Sequence, residues 1–171
     1  MAHEAVDAWE ALLRAQVTLM KEFTEDLRGS EVSMQEYDVL YTLSGCPAPG
    51  SRLRDLADHV RLSQPGLSRL VERMEADGLV VRRRDPLDGR GTLVSLTDRG
   101  RQAQRAAGRV HARSITARVT QALTPREQAE LAHLCTKLRL GAGGDPTPTE
   151  DGIPTRATTP THATGPTHDA P

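Results

Sequence analysis

Apolar side chains recur at helical spacing through most of the first 140 residues. Residues 4–28 place Val6, Trp9, Leu12, Leu13, Val17, Leu19, Met20, Phe23 and Leu27 on one side of a long amphipathic helix. Ser33 and Glu36 have capping-box spacing, in which hydroxyl and carboxylate satisfy the orphan backbone donors of a helix start. They predict a second helix over 33–44, ended by the breaker run SGCPAPG. Thr124-Pro125-Arg126-Glu127 repeats the device, with Pro in the first turn, where its missing donor costs nothing. It opens a terminal helix over 124–140, carrying Leu131, Leu134 and Leu138, with Gly141 as the stop. A further long helix is predicted from Thr97 to about Gln121.

The middle of the chain has a different rhythm. Residues 52–59 and 63–77 read as two helices separated only by Val60, Arg61 and Leu62, with small Ala57 allowing close packing; this is the helix-turn-helix arrangement. Ser63 is placed to cap the second helix, Pro65 is tolerated in its first turn, and Gly78 stops it. Leu79–Val81 and Thr92–Leu96 are β-prone and flank the turn-prone PLDGRG, which predicts a two-stranded hairpin with a basic stem and tip. The predicted fold is mainly α with a small β-hairpin wing: a winged helix-turn-helix domain (33–97) between an N-terminal helix (1–32) and C-terminal helices (98–140) that dimerise. The flanking helices carry apolar stripes that a small winged helix cannot cover, and a homodimer buries such stripes between subunits.

Charge sharpens this picture. The formal net charge of the 171 residues is −1. Residues 1–50 nevertheless hold three basic and nine acidic side chains, whereas 51–139 hold eighteen basic and ten acidic. A basic block in an acidic frame keeps a polyanion partner open, since the local field decides. From 141 to 171 the composition changes to six prolines and eight threonines with Ile153 the only large aliphatic residue, so a disordered tail is expected. His162 and His168 in that tail form no spaced metal-binding cluster, and no cofactor is expected.

Several classes are excluded. No run of residues approaches the roughly 18 apolar positions of a membrane span, and the acidic N-terminus has no basic leader region. Cys46 and Cys135 make neither a disulfide framework nor a Cys-x-x-Cys pair. No Gly-rich phosphate loop, Gly-x-Ser-x-Gly or His-Glu-x-x-His occurs, so an enzyme is not expected. His59, His111 and His133 have no His or Cys four residues away, so no metal site is expected either. The expected compartment is the cytoplasm.

The helix-turn-helix and hairpin instead carry chemistry suited to double-stranded DNA. The second helix of such a unit enters the major groove N-terminus first, and here that end presents Ser63, Gln64, Gly66, Leu67, Ser68 and Arg69. Gln pairs bidentately with adenine and Arg with guanine, while Gly lets the backbone approach closely. Arg73 lies one turn later, and Arg82, Arg83, Arg84 and Arg90 of the hairpin are placed to neutralise phosphates or enter a minor groove. Asp88 beside Arg90 is expected to brace the wing's turn. A winged helix used for protein contacts alone is the alternative, and salt dependence separates the two.

With these residues in place the chain resembles the MarR family of winged-helix transcriptional regulators over about residues 5–140. The resemblance rests on YDVLYTL (37–43), LRDLADHVRLSQPGLSRLVERMEADGLVVRR (53–83) and the Asp-x-Arg wing signature in DGRGTLVSLTDRG (88–100). It implies a homodimer on a pseudo-palindromic operator, usually a repressor, released by a small aromatic or phenolic ligand. The ligand pocket it implies lies between the dimerisation and DNA-binding parts, near Trp9, Tyr37, Asp38, His59 and Arg82.

Two features stand outside that frame. Arg101, Arg105, Arg109 and Arg113 recur every four residues and share one helix face, where like charges repel mildly. The acidic first fifty residues of either subunit are the expected partner, with a solvated stripe as the alternative. Cys46, close in sequence to Arg52 and Arg54, is expected to be buried or idle rather than a redox sensor.

Overall fold

The computed structural model describes residues 2–57, 59–60, 62–85 and 91–142. Its elements are α1 (Ala2–Asp26), α2 (Met34–Ser44), β1 (Ser51–Arg52), α3 (Leu53–Ala57), α4 (Gln64–Ala76), β2 (Val80–Arg84), β3 (Thr92–Leu96), α5 (Asp98–Ala122) and α6 (Pro125–Gly141). The local signals act as read. Ser33 caps α2 with a full capping box, and Glu36 reaches back to the Ser33 N–H at 2.8 Å. Thr124 and Glu127 do the same for α6. Gly78 ends the chain reversal after α4 at φ +70°, where a side chain would be strained.

The sheet departs from the expected two-stranded hairpin. It has three antiparallel strands in the order β1-β3-β2, with Ser51 opposite Val94 and Arg52 opposite Leu93. Residue 52 is therefore a strand residue and not the start of a helix. A two-residue strand has no room for an alternating pattern, so nothing local announces it. Gly50 permits the pairing: at φ +125° a β-carbon there would lie 2.3 Å from the Val94 carbonyl oxygen.

One core serves the winged helix and its flanks. Leu40 of α2, Leu56 of α3, Leu67 and Met74 of α4, and Val94 of β3 are fully buried together, joined by Phe23 and Leu27 from α1 and by Ala103 and Ala107 from α5. α5 seats on the sheet through Gly100 and Thr97. A β-carbon at Gly100 would fall 1.9 Å from the Leu79 carbonyl oxygen. Thr97 caps α5 while its hydroxyl donates to the Gly78 carbonyl at 2.6 Å.

α1 crosses α5 through Phe23, whose ring meets His111 edge-on at 5.0 Å. Beside it Arg118 pairs with Glu22 and, at 2.7 Å, with Asp26. The Ser114 hydroxyl, then Arg118, hold the Asp26 carboxyl below its ordinary value. The acids near α5 thus choose Arg118, and Glu31 chooses Arg99 at 2.9 Å. They do not take the stripe within the protomer: Arg101 pairs with Asp98, and Arg105, Arg109 and Arg113 make no ion pair with a described residue.

α6 and the first half of α1 remain uncovered. α6 buries none of its side chains in the protomer, and Leu131, Leu134 and Leu138 all point outward. Val6, Trp9, Leu13 and Val17 are likewise exposed on α1. No helix among the described residues is long and apolar enough to cross a membrane. The expected disordered tail lies, from 143 onward, outside the described residues.

Candidate nucleic-acid interface

α4 is two-faced for a simple reason. Its apolar positions Leu67, Leu70, Val71 and Met74 follow helical spacing and are buried, so the remaining positions are turned to solvent. Gln64, Arg69 and Arg73 are exposed and Ser68 is half-buried. Ser63 accepts from the Gly66 N–H at 3.3 Å, which fixes the first turn, and Ser68 donates to Glu72 at 3.4 Å. Leu67 does not belong with the surface residues: its side chain has no exposure and anchors the helix on the core. The first turn of α4 also presents the positive end of the helix dipole, which favours an anion.

The wing adds a second basic edge. β2 pairs with β3 from Val80 opposite Leu96 to Arg84 opposite Thr92, and the Asp85 N–H bonds to the Gly91 carbonyl at 2.9 Å. Arg83 and Arg84 are exposed on this strand. Arg82 is tied instead to α4. Its backbone N–H reaches one Glu75 carboxylate oxygen at 2.9 Å and its Nε the other at 2.7 Å, with Glu72 at 3.6 Å. These donors, the backbone first, hold Glu75 below its ordinary carboxylate value. Asp88 and Arg90, the wing brace and tip arginine, lie outside the described residues.

Sequence reasoning missed what holds the base of the wing. Asp85 is buried, and Arg52 of β1 meets it through Nη2 at 2.6 Å and Nε at 2.8 Å. Thirty-three positions separate them, so no local pattern could pair them.

The five residues of the expected ligand pocket are spread over α1, α2, the turn after α3 and β2. Trp9 is exposed on α1. Tyr37 is buried on α2, its ring 5.4 Å from that of His111 and 5.9 Å from that of Tyr41. Burial raises the Tyr37 hydroxyl above its ordinary value, helped by Tyr41 and Asp38. Asp38 is half-buried beside it. His59 is exposed in the turn after α3, with Nδ1 at 2.8 Å from the Asp55 carbonyl, and Arg82 is in the clamp just described. His111 was not foreseen. Its buried Nδ1 has no hydrogen-bond partner among the described residues, and burial pushes its pKa below the ordinary value. No group of three metal-ligating side chains occurs among the described residues.

Residues 30–91, from the turn before α2 to the start of β3, match the MarR family. The homoprotocatechuate degradative operon repressor of Escherichia coli is 27% identical over 124 residues, covering 72% of this chain and 82% of that protein. AbsC, a MarR family transcriptional regulator from Streptomyces coelicolor, superposes with a TM-score of 0.70 at 28% identity, covering 81% of this chain and 93% of its own. Sco3205, a MarR family transcriptional regulator from the same organism solved in complex with DNA, gives a TM-score of 0.70 at 28% identity over 88% of this chain and 96% of its own. The chain thus has the winged-helix fold of these MarR family regulators, and its residues 30–91 are similar in sequence to that family.

Proposed function

We propose that the protein is a transcriptional repressor that binds a pseudo-palindromic operator as a homodimer and is released by a small aromatic or phenolic ligand. The observation that carries this is the face of α4: Gln64, Ser68, Arg69 and Arg73 share the side opposite the buried leucines, next to the exposed Arg83 and Arg84 of the wing. Gln and Arg at a helix start read adenine and guanine in the major groove, and wing arginines neutralise phosphates. Sco3205, similar over most of the chain, is a DNA complex. The uncovered apolar faces of α1 and α6 support the homodimer, whose two-fold symmetry sets two α4 helices about 34–36 Å apart. The buried Nδ1 of His111, beside Tyr37, supports a ligand with a phenolic hydroxyl, because such a donor would satisfy it.

Fluorescence anisotropy on the DNA upstream of the gene, against a scrambled duplex at two salt concentrations, tests the reading. Tight binding to the upstream duplex alone, weakened steeply by salt, is the expected result. No binding to either at low salt would overturn it in favour of a protein-contact role.

A further inference from the structure

One face of α5 carries charge that the protomer leaves unanswered. Ala103, Ala107 and Ser114 are buried, so helical spacing turns Arg101, Arg105, Arg109 and Arg113 to the opposite side, where all four are exposed. Arg101 is occupied by Asp98 at 2.7 Å and by the Leu96 carbonyl at 3.1 Å. Arg105, Arg109 and Arg113 make no ion pair with a described residue. Like charges one helical turn apart repel, so the stripe costs stability until a counter-charge covers it.

The acidic first fifty residues have little left to supply. Glu10 pairs with Arg14, Glu25 with Arg28 and Glu31 with Arg99, while Glu22 and Asp26 share Arg118. Glu36 is held in the α2 cap, and Glu4 and Asp38 have partners as well. Of that set only Asp7 has no such partner among the described residues.

The acids beyond α6 are a separate reserve. Residues 143–171 hold Asp145, Glu150, Asp151 and Asp169 against Arg156 alone. Only Leu123 and Thr124 separate α5 from α6. At about 1.5 Å per residue, α6 is about 25 Å long and Arg113 lies about 14 Å before the end of α5, which puts Gly141 within about 45 Å of Arg113. Residues 142–169 can span about 90 Å when extended, so length does not prevent contact.

We propose that this acidic C-terminal segment, residues 145–169, docks along α5 with its carboxylates on Arg105, Arg109 and Arg113. Charge complementarity and the length of chain beyond Gly141 carry the inference. A docked segment neutralises the stripe and withholds it from other polyanions. The proposal goes beyond the operator reading and does not depend on it.

Phenylglyoxal modification of the full chain without DNA, mapped by mass spectrometry, reads the stripe one guanidinium at a time. Neutralising the segment (Asp145→Asn/Glu150→Gln/Asp151→Asn/Asp169→Asn) is expected to speed modification of Arg105, Arg109 and Arg113 about two- to fivefold at low salt, since tethered but exposed ion pairs are individually weak. Arg69, exposed on α4, is the control and reacts equally in both chains. Trypsin reads the other side of the contact, because Arg156 is the segment's one Lys or Arg. Arg105→Gln/Arg109→Gln/Arg113→Gln is expected to speed cleavage after Arg156 by a similar factor. Salt at about 1 M, where the Debye length falls to about 3 Å, removes the difference. Equal stripe reactivity in the parent and the neutralised chain overturns the proposal, whether the stripe then faces solvent or a second subunit. So does a change confined to Arg69, or cleavage after Arg156 that ignores the stripe.

Discussion

Arg52 and Asp85 join the shortest strand of the sheet to the end of β2, with Nη2 and Nε both on one buried carboxylate oxygen at 2.6 and 2.8 Å. The pair closes the wing's base at the point where β2 leaves the ladder. Removing Arg52 leaves a carboxylate that was desolvated in the expectation of a guanidinium, and the cost of such a loss exceeds that of an exposed pair. Arg52→Ala is expected to destabilise by about 2–3 kcal/mol. Urea unfolding at fixed protein concentration checks this; a midpoint equal to that of the parent would mean the pair is ornamental.

Gly100 sets propensity against sterics. In an exposed helix interior Gly→Ala stabilises by about 0.8–1 kcal/mol. Here the new β-carbon would meet the Leu79 carbonyl at 1.9 Å, a backbone atom that cannot rotate away. The steric term wins, and Gly100→Ala is expected to cost about 3 kcal/mol by prising α5 off the wing. Gly29 is the control, with nothing within 4 Å of its added β-carbon, and Gly29→Ala should stay within about 0.5 kcal/mol. Equal midpoints for the two variants would contradict the seating of α5 on Leu79.

His111 makes stability depend on pH in a predictable direction. Burial disfavours its imidazolium, so its folded value lies below the ordinary 6.5. Between those two values the unfolded chain binds a proton that the fold rejects, so stability rises with pH across that window. Lowering pH from 7.5 through 6.5 and below should therefore reduce the melting temperature. His111→Phe keeps a ring against Phe23 and removes the titration, so its melting temperature should fall less over the same range. A parent and a variant with the same slope would show that another group titrates.

How much of this was legible in the sequence follows from range. Ser33, Ser63, Thr97 and Thr124 cap helices because each bonds within three residues, and such spacing is visible in a string of letters. The buried stripe of α4 was visible as well, yet Leu67 was read with the surface residues because it lies in the same first turn. What stayed hidden is long-range. Arg52 and Asp85 meet across the sheet, Glu31 finds Arg99 over 68 positions, and Glu22 finds Arg118 over 96. The arginine stripe on α5 was legible as a stripe, but its partner was not. Which acid meets which base depends on where α1 crosses α5, a crossing decided by Phe23 and His111.

The uncovered leucines of α6 give the proposed homodimer a quantitative test. Leu134 is 49% exposed on a helix that buries none of its own side chains. Burying a leucine is worth about 1.5–3 kcal/mol, and two-fold symmetry counts it twice. About half of that remains to be gained at Leu134, so Leu134→Lys should weaken self-association by at least about tenfold. Sedimentation equilibrium reads this directly, and an unchanged association constant would place the interface elsewhere.

Arg69 and Arg82 are both candidate DNA contacts, but their surroundings assign them different work. Arg69 is exposed at the start of α4, whereas Arg82 spends its backbone N–H and its Nε on Glu75. A phosphate or base that recruited Arg82 would have to displace that carboxylate, while Arg69 has no ion pair with a described residue to give up. If Arg69 contacts phosphate, Arg69→Ala removes one contact per protomer, and the slope of log affinity against log salt should become shallower by about 2 for a dimer. If it pairs with guanine, the same variant loses about 1–3 kcal/mol per half-site against the operator and little against a scrambled duplex. Arg82→Ala should leave the salt slope nearly unchanged and lower affinity through a loosened wing, visible as reduced thermal stability without DNA. Measuring both variants on operator and scrambled duplex at several salt concentrations separates the roles. A salt slope that falls for Arg82→Ala and stays constant for Arg69→Ala would exchange them.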